Sequence, residues 1–175
     1  MERVLSTRRA ALLGAATLLS GFEARADGAR SEPLFAIARS KNANVVHYDV
    51  RVRERGRLDR DEPVIAYWVM LAEDGRREGL TWLERRLAYG FSTSLAPGGE
   101  EFRLRLRAFP RRELAVRRDE NGHFRAEIAI LGQAAVLERI FVASVESGMT
   151  PSVRYFELHG RRRSDGSRVT ERVLP

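Results

Sequence analysis

The chain has 175 residues with 43% hydrophobic and 8% aromatic content, enough for a packed core and incompatible with global disorder. It carries a formal charge of +7 and no cysteine, which excludes a disulfide framework and any thiolate metal site. Thirty of the 31 basic residues are arginine, and Lys41 is the only lysine. These arginines alternate with apolar residues, as in the run Phe102-Arg103-Leu104-Arg105-Leu106-Arg107, so they read as the solvated face of a strand rather than a nucleic-acid footprint. No nucleic-acid partner is expected.

Residues 1–26 read as a cleaved export signal. Arg3, Arg8 and Arg9 give a positive start, residues 10–19 an apolar stretch too short to span a bilayer, and Ala24-Arg25-Ala26 a small-x-small cleavage site. The pair Arg8-Arg9 suggests the twin-arginine route, with the general secretory route as the alternative. A periplasmic or secreted location follows, with no transmembrane segment in the mature chain and a charge of +5 left after cleavage. Residues 27–33 form a short polar leader, and residues 34–175 are expected to make one β-rich domain.

A brief strand over residues 34–38 leads into the polar run Arg39-Ser40-Lys41-Asn42-Ala43-Asn44. The next strand, residues 44–53, alternates cleanly. Val46, Tyr48, Val50 and Val52 share one face, and Val45, His47, Asp49, Arg51 and Arg53 the other. Residues 53–62 are charged around Gly56 and read as a solvated loop holding Asp59, Asp61 and Glu62. Residues 63–71 are apolar at every position, the pattern of a strand buried on both faces.

Residues 80–89 are the one convincing helix. Thr81 and Glu84 have capping-box spacing, Leu80, Leu83 and Leu87 form an apolar stripe, and Gly90 stops it. This stripe is expected to cover the second face of the apolar strand, which makes Leu83 and Leu87 core residues. Residues 92–100, with Pro97-Gly98-Gly99, read as a flexible loop.

Hairpins then follow one another. Strands are expected near residues 102–108, 113–118, 124–130, 134–146, 153–159 and 169–174, with turns at residues 119–122, 132–133 and 164–167. The total is about eight to ten short strands. The fold class is all-β with one helix: an antiparallel meander closing into a barrel or sandwich, the helix packed on the sheet or a barrel end.

No nucleophile elbow, phosphate-binding loop or zinc-protease helix occurs, and the three histidines lack ligand spacing. The best candidate site is the polar run. Arg39, Lys41, Asn42 and Asn44 place two cations and two amides at a strand entrance, with Tyr48, Tyr67 and Trp68 as aromatic walls. The competing structural reading is a turn held by asparagine side chains. Two functional classes remain. One is a non-enzymatic envelope protein binding an anionic small molecule or another envelope protein. The other is an envelope enzyme using Glu84 or Tyr89 as acid or base beside the same rim. Neither implies a cofactor or a metal.

Three blocks, RSKNANVVHYDV at 39–50, EPVIAYWVM at 62–70 and LERRLAYGF at 83–91, resemble exported bacterial proteins of domain-of-unknown-function family 4833. The resemblance runs from about Leu34 to the carboxyl end and is densest between Arg39 and Phe91. It implies one exported domain and carries no established reaction, cofactor or catalytic residue.

The export signal makes a direct prediction. Amino-terminal sequencing of the protein recovered outside the cytoplasm should begin at or near Asp27. Lysine at both Arg8 and Arg9 should abolish twin-arginine export, whereas undiminished export would assign the general secretory route.

Overall fold

The computed structural model describes residues 30–145 and 152–175. The expected export signal and the first residues of the expected leader lie outside them. Eleven strands and one short helix follow in order. The first four strands are β1 (Arg30–Arg39), β2 (Asn42–Val52), β3 (Val64–Met70) and β4 (Arg76–Gly79). Next come the helix α1 (Trp82–Leu87), β5 (Phe91–Leu95), β6 (Phe102–Leu106), β7 (Leu114–Arg118) and β8 (Phe124–Ile130). The last three are β9 (Gln133–Val145), β10 (Ser152–Arg162) and β11 (Arg168–Val173). The leader is shorter than its polarity suggests, because β1 already pairs with β2 from Arg30 onward.

The protein is mostly β, a strongly curled mixed sheet that forms a half-barrel. Its organising strand is β9. Residues 133–136 of β9 pair antiparallel with β8, and residues 139–142 pair parallel with β1. Residues along its length also pair with β10, so β8 and β1 share one edge of β9 while β10 and β11 lie beyond the other. Two arms therefore leave the same edge. One runs β1-β2-β3-β4, the other β8-β7-β6-β5. The parallel β1–β9 pairing departs from the simple meander, since it requires the chain to cross between arms.

The arms face each other across the core. Val46, Tyr48, Val50 and Val52 of β2 are fully buried, as their alternation requires. From the other arm, Phe102, Leu104, Leu114, Val116, Phe124 and Ile128 face them. Tyr48 stacks on Phe35 at 4.7 Å and meets the edge of Phe91 at 5.9 Å, joining the two arms. Its hydroxyl donates to the Tyr89 carbonyl at 2.8 Å. Turn chemistry sets the register of the β8–β9 hairpin. Leu131 and Gly132 both hold positive φ, 51° and 74°, in the two-residue turn that such a ribbon favours.

Four expectations are corrected. β3 is buried on one face only, at Val64 and Trp68, while Ile65, Tyr67 and Val69 are half-buried, because they point to the convex face of the sheet, away from the core. The helix is shorter than expected, and none of its residues is buried. Leu83 and Leu87 are 54% and 66% exposed, so the apolar stripe covers a cavity mouth instead of the sheet. Residues 92–95 of the expected loop belong instead to β5. Lastly, Asp59 is not solvated. Its buried carboxylate accepts the Asp61 and Glu62 amides and the Arg53 guanidinium. Burial alone would push its pKa up, but these bonds hold it below the ordinary carboxylate value.

The capping box is present as spaced: the Thr81 hydroxyl accepts from the Glu84 amide and the Glu84 carboxylate accepts from the Thr81 amide. Gly90, just beyond the helix, must lack a side chain, since a Cβ there would lie 1.8 Å from the Arg85 carbonyl oxygen.

Truncating the exposed stripe should therefore be nearly silent for stability. Leu83→Ala and Leu87→Ala are expected to change unfolding free energy by about 0.5 kcal/mol or less, and Leu104→Ala by about 2–5 kcal/mol. Urea denaturation of the three variants tests the assignment, and a loss at Leu83 comparable to that at Leu104 would refute it.

Candidate functional site

β1 and β2 meet in a two-residue turn, Ser40-Lys41, with Arg39 and Asn42 paired across its base. Ser40 fastens this turn to β9: its amide donates to the Val142 carbonyl at 3.1 Å, and its hydroxyl accepts from the Ser144 amide at 3.1 Å. The polar run is therefore a pinned hairpin end. Arg39 and Lys41 of the run also line a cavity, and the bonds that fasten its turn come from Ser40.

The cavity measures about 530 Å³, within the usual range for small-ligand sites. It opens at the end of the half-barrel where α1 spans from β1 toward the segment after β6. Its walls are apolar: Ile37, Leu106, Phe109, Ile140, Val142 and Phe156 form the body, and Leu83, Leu87 and Val153 the mouth. Arg39, Lys41, Glu84 and Tyr89 supply the polar end. Four of the residues expected at the site are thus gathered around one opening.

Arg39 occupies the centre of this end. Its guanidinium lies 4.5 Å from the Trp68 ring centroid and 5.9 Å from that of Tyr89, and the two rings meet edge to face at 5.1 Å. It donates to the Asn42 side-chain oxygen at 3.3 Å and hydrogen-bonds the Tyr89 side chain. Its Nε is buried and has no partner among the described residues. Burial raises the Tyr89 phenol above its ordinary pKa, against the opposing pull of Arg39.

Glu84 is committed. Its Oε1 accepts the Trp68 indole N–H at 3.0 Å, and its Oε2 accepts the Thr81 amide at 2.8 Å and hydroxyl at 2.9 Å. Burial favours the protonated acid, but these donors together with Arg39 outweigh it and hold the pKa below the ordinary value. A general acid would need the opposite shift.

The remaining expected residues lie elsewhere. Asn42, Asn44 and Trp68 line a smaller polar groove of about 260 Å³ on the far side of Arg39, which it shares with the cavity. Tyr48 is 0% exposed, so it supports the site from below and is not a wall. Tyr67 faces outward on the other side of the sheet. Its hydroxyl donates to Asp49 Oδ2 at 2.7 Å, and burial together with that bond pushes its pKa up to about 12. Orientation explains both misplacements: Tyr48 and Trp68 point to the concave side of the sheet, Tyr67 to the convex side. The body of the cavity was not foreseen. Its residues carry ordinary strand alternation, and nothing in that pattern separates a filled core from a hollow one.

The family model for the domain of unknown function DUF4833 matches residues 35–172. The chain belongs to this family. No curated protein and no solved structure shows a match to it. The matched span contains α1 and every residue of the candidate site, so the cavity of this chain lies within the matched domain.

The lowered pKa of Glu84 makes a pH prediction. A depressed folded-state pKa gives stability that is present above the ordinary value of 4.5 and lost as pH falls through the folded one. Glu84→Gln should therefore be less stable than the parent at about pH 7, and the gap should be narrower at an acidic pH below 4.5. Urea midpoints at both pH values measure it, and a constant gap would show that Glu84 carries no pH-linked stability.

Proposed function

We propose that the DUF4833 domain is a binding protein for a small amphiphile, holding an apolar chain in the cavity and an anionic headgroup at Arg39 and Lys41. One observation carries this reading: an apolar cavity of about 530 Å³ whose polar end includes the only lysine and a half-buried arginine beside Glu84 and Tyr89. Apolar walls select a hydrocarbon body by area removed from water, and they give it no directional preference. Orientation must come from the polar end. There Glu84 already spends both oxygens on Trp68 and Thr81, while Arg39 has a buried Nε without a partner among the described residues. A carboxylate or phosphate placed at the rim would meet cationic donors on a rigid turn.

The reading is non-enzymatic. Glu84 is held as an anion by its own bonds and Tyr89 as a neutral phenol, so the rim offers neither an acid nor a base tuned to neutral pH. With the amino-terminal signal expected from the sequence, such a protein would act in the periplasm or outside the cell, on an envelope lipid or fatty acid.

Titration with a dansyl-labelled fatty acid tests this, with its methyl ester as the neutral control. The acid should bind more tightly than the ester. Lys41→Ala should weaken acid binding on the order of fivefold, for an ion pair of ~1 kcal/mol, and leave the ester unchanged. Val142→Trp, which fills the cavity, should abolish binding of both. Equal affinity for acid and ester would remove the headgroup site, and no binding of either by the parent would remove the proposal.

A further inference from the structure

The face of α1 that rings the cavity is a mismatch for water. Trp82 is 70% exposed, Leu83 54% and Leu87 66%, all within a six-residue helix. Val153 stands exposed at the same mouth. The cations around these side chains are Lys41 on the hairpin turn and Arg85 and Arg86 on the helix, all exposed, and Arg86 lies 5.4 Å over the Trp82 ring. The single acid of the helix, Glu84, is turned onto Trp68 and Thr81. The helix therefore presents apolar and cationic groups outward and withholds its negative charge.

We infer that this rim is a docking surface for an anionic lipid bilayer, with Trp82, Leu83 and Leu87 entering the interfacial layer while Lys41, Arg85 and Arg86 meet the headgroups. The inference rests on the amphiphile reading of the cavity and adds where the ligand is loaded. Charge complementarity selects the occupant. Tryptophan and leucine beside arginine are the composition that settles at the boundary between acyl chains and headgroups, and each basic residue near an anionic surface adds attraction. Among the described residues no helix is long and apolar enough to cross a membrane. Docked this way, the cavity mouth opens against the acyl layer, and an amphiphile passes between bilayer and cavity without exposing its chain to water.

Co-sedimentation with vesicles of phosphatidylglycerol, compared with phosphatidylcholine, tests the surface. The probe-binding titration, run in parallel without vesicles, tests the cavity. The parent should bind phosphatidylglycerol vesicles and release them as salt rises. Trp82→Ala should weaken that association roughly tenfold and Arg86→Ala roughly fivefold. Neither residue lines the cavity, so both variants should keep the parent's affinity for the dansyl-labelled fatty acid. Probe binding without vesicle association would overturn the inference and leave the cavity reading intact. Vesicle association that Trp82→Ala does not change would overturn it as well. Sedimentation velocity showing a dimer that Trp82→Ala dissolves would assign the face to a second copy of the chain instead. Vesicle association without probe binding would keep the surface and remove the cavity reading.

Discussion

The hydrogen bond from the Tyr48 hydroxyl to the Tyr89 carbonyl is the contact on which the geometry of this fold turns. Both groups lie in the interior, where an unpaired carbonyl costs about 1–3 kcal/mol, so the bond fixes the distance between β2 and the chain leaving α1. Tyr48 is itself immobilised by stacking on Phe35 and by the edge of Phe91. The helix consequently ends where the Tyr89 ring can meet Trp68. That pair of rings is the platform on which the Arg39 guanidinium rests. A tyrosine in the core thus determines where a cation stands at the surface.

The polar end of the cavity divides its charges unequally. Glu84 is satisfied on both oxygens, by an indole, an amide and a hydroxyl, and needs nothing further. Arg39 is held by aromatic faces, one long bond to Asn42 and a bond to the Tyr89 side chain, with its Nε buried and unpartnered among the described residues. Stacking on rings keeps a guanidinium in place without consuming its donors. The site therefore pairs a satisfied anion with a positioned cation. Ser40 adds stiffness, since its bonds to Val142 and Ser144 keep Lys41 from swinging away with a loose turn.

Local features of this architecture were legible in the sequence, and long-range ones were not. The alternation of Val46, Tyr48, Val50 and Val52 gave the buried face of β2, and the Thr81–Glu84 spacing gave the cap of α1. Both depend on neighbours within a few residues. The parallel pairing of β1 with β9 joins Ala36 to Arg139, and no periodicity reports on a partner so distant. The apolar stripe of α1 was visible as a stripe. What it faces was not, because Leu83 and Leu87 have the same spacing whether they meet a sheet or the mouth of a cavity. Tyr48 and Tyr67 were both legible as aromatic residues near the polar run. Only the curl of the sheet separates them, turning one inward and the other out toward Asp49.

The helix shows how such a site can be both fixed and exposed. In most globular proteins an amphipathic helix is held by burial of its apolar face, since a short helix is not stable alone. Here the apolar face is out, and the helix is only six residues long. Its place is kept by polar bonds on the opposite side: the capping box, the Glu84–Trp68 bond, and the Tyr48–Tyr89 bond at its exit. Leu80 and Tyr89, which flank it, are the buried anchors. Because nothing in that set uses Trp82, Leu83 or Leu87, those side chains can meet a ligand or a bilayer without loosening the helix. The separation assigns stability to one side of α1 and recognition to the other.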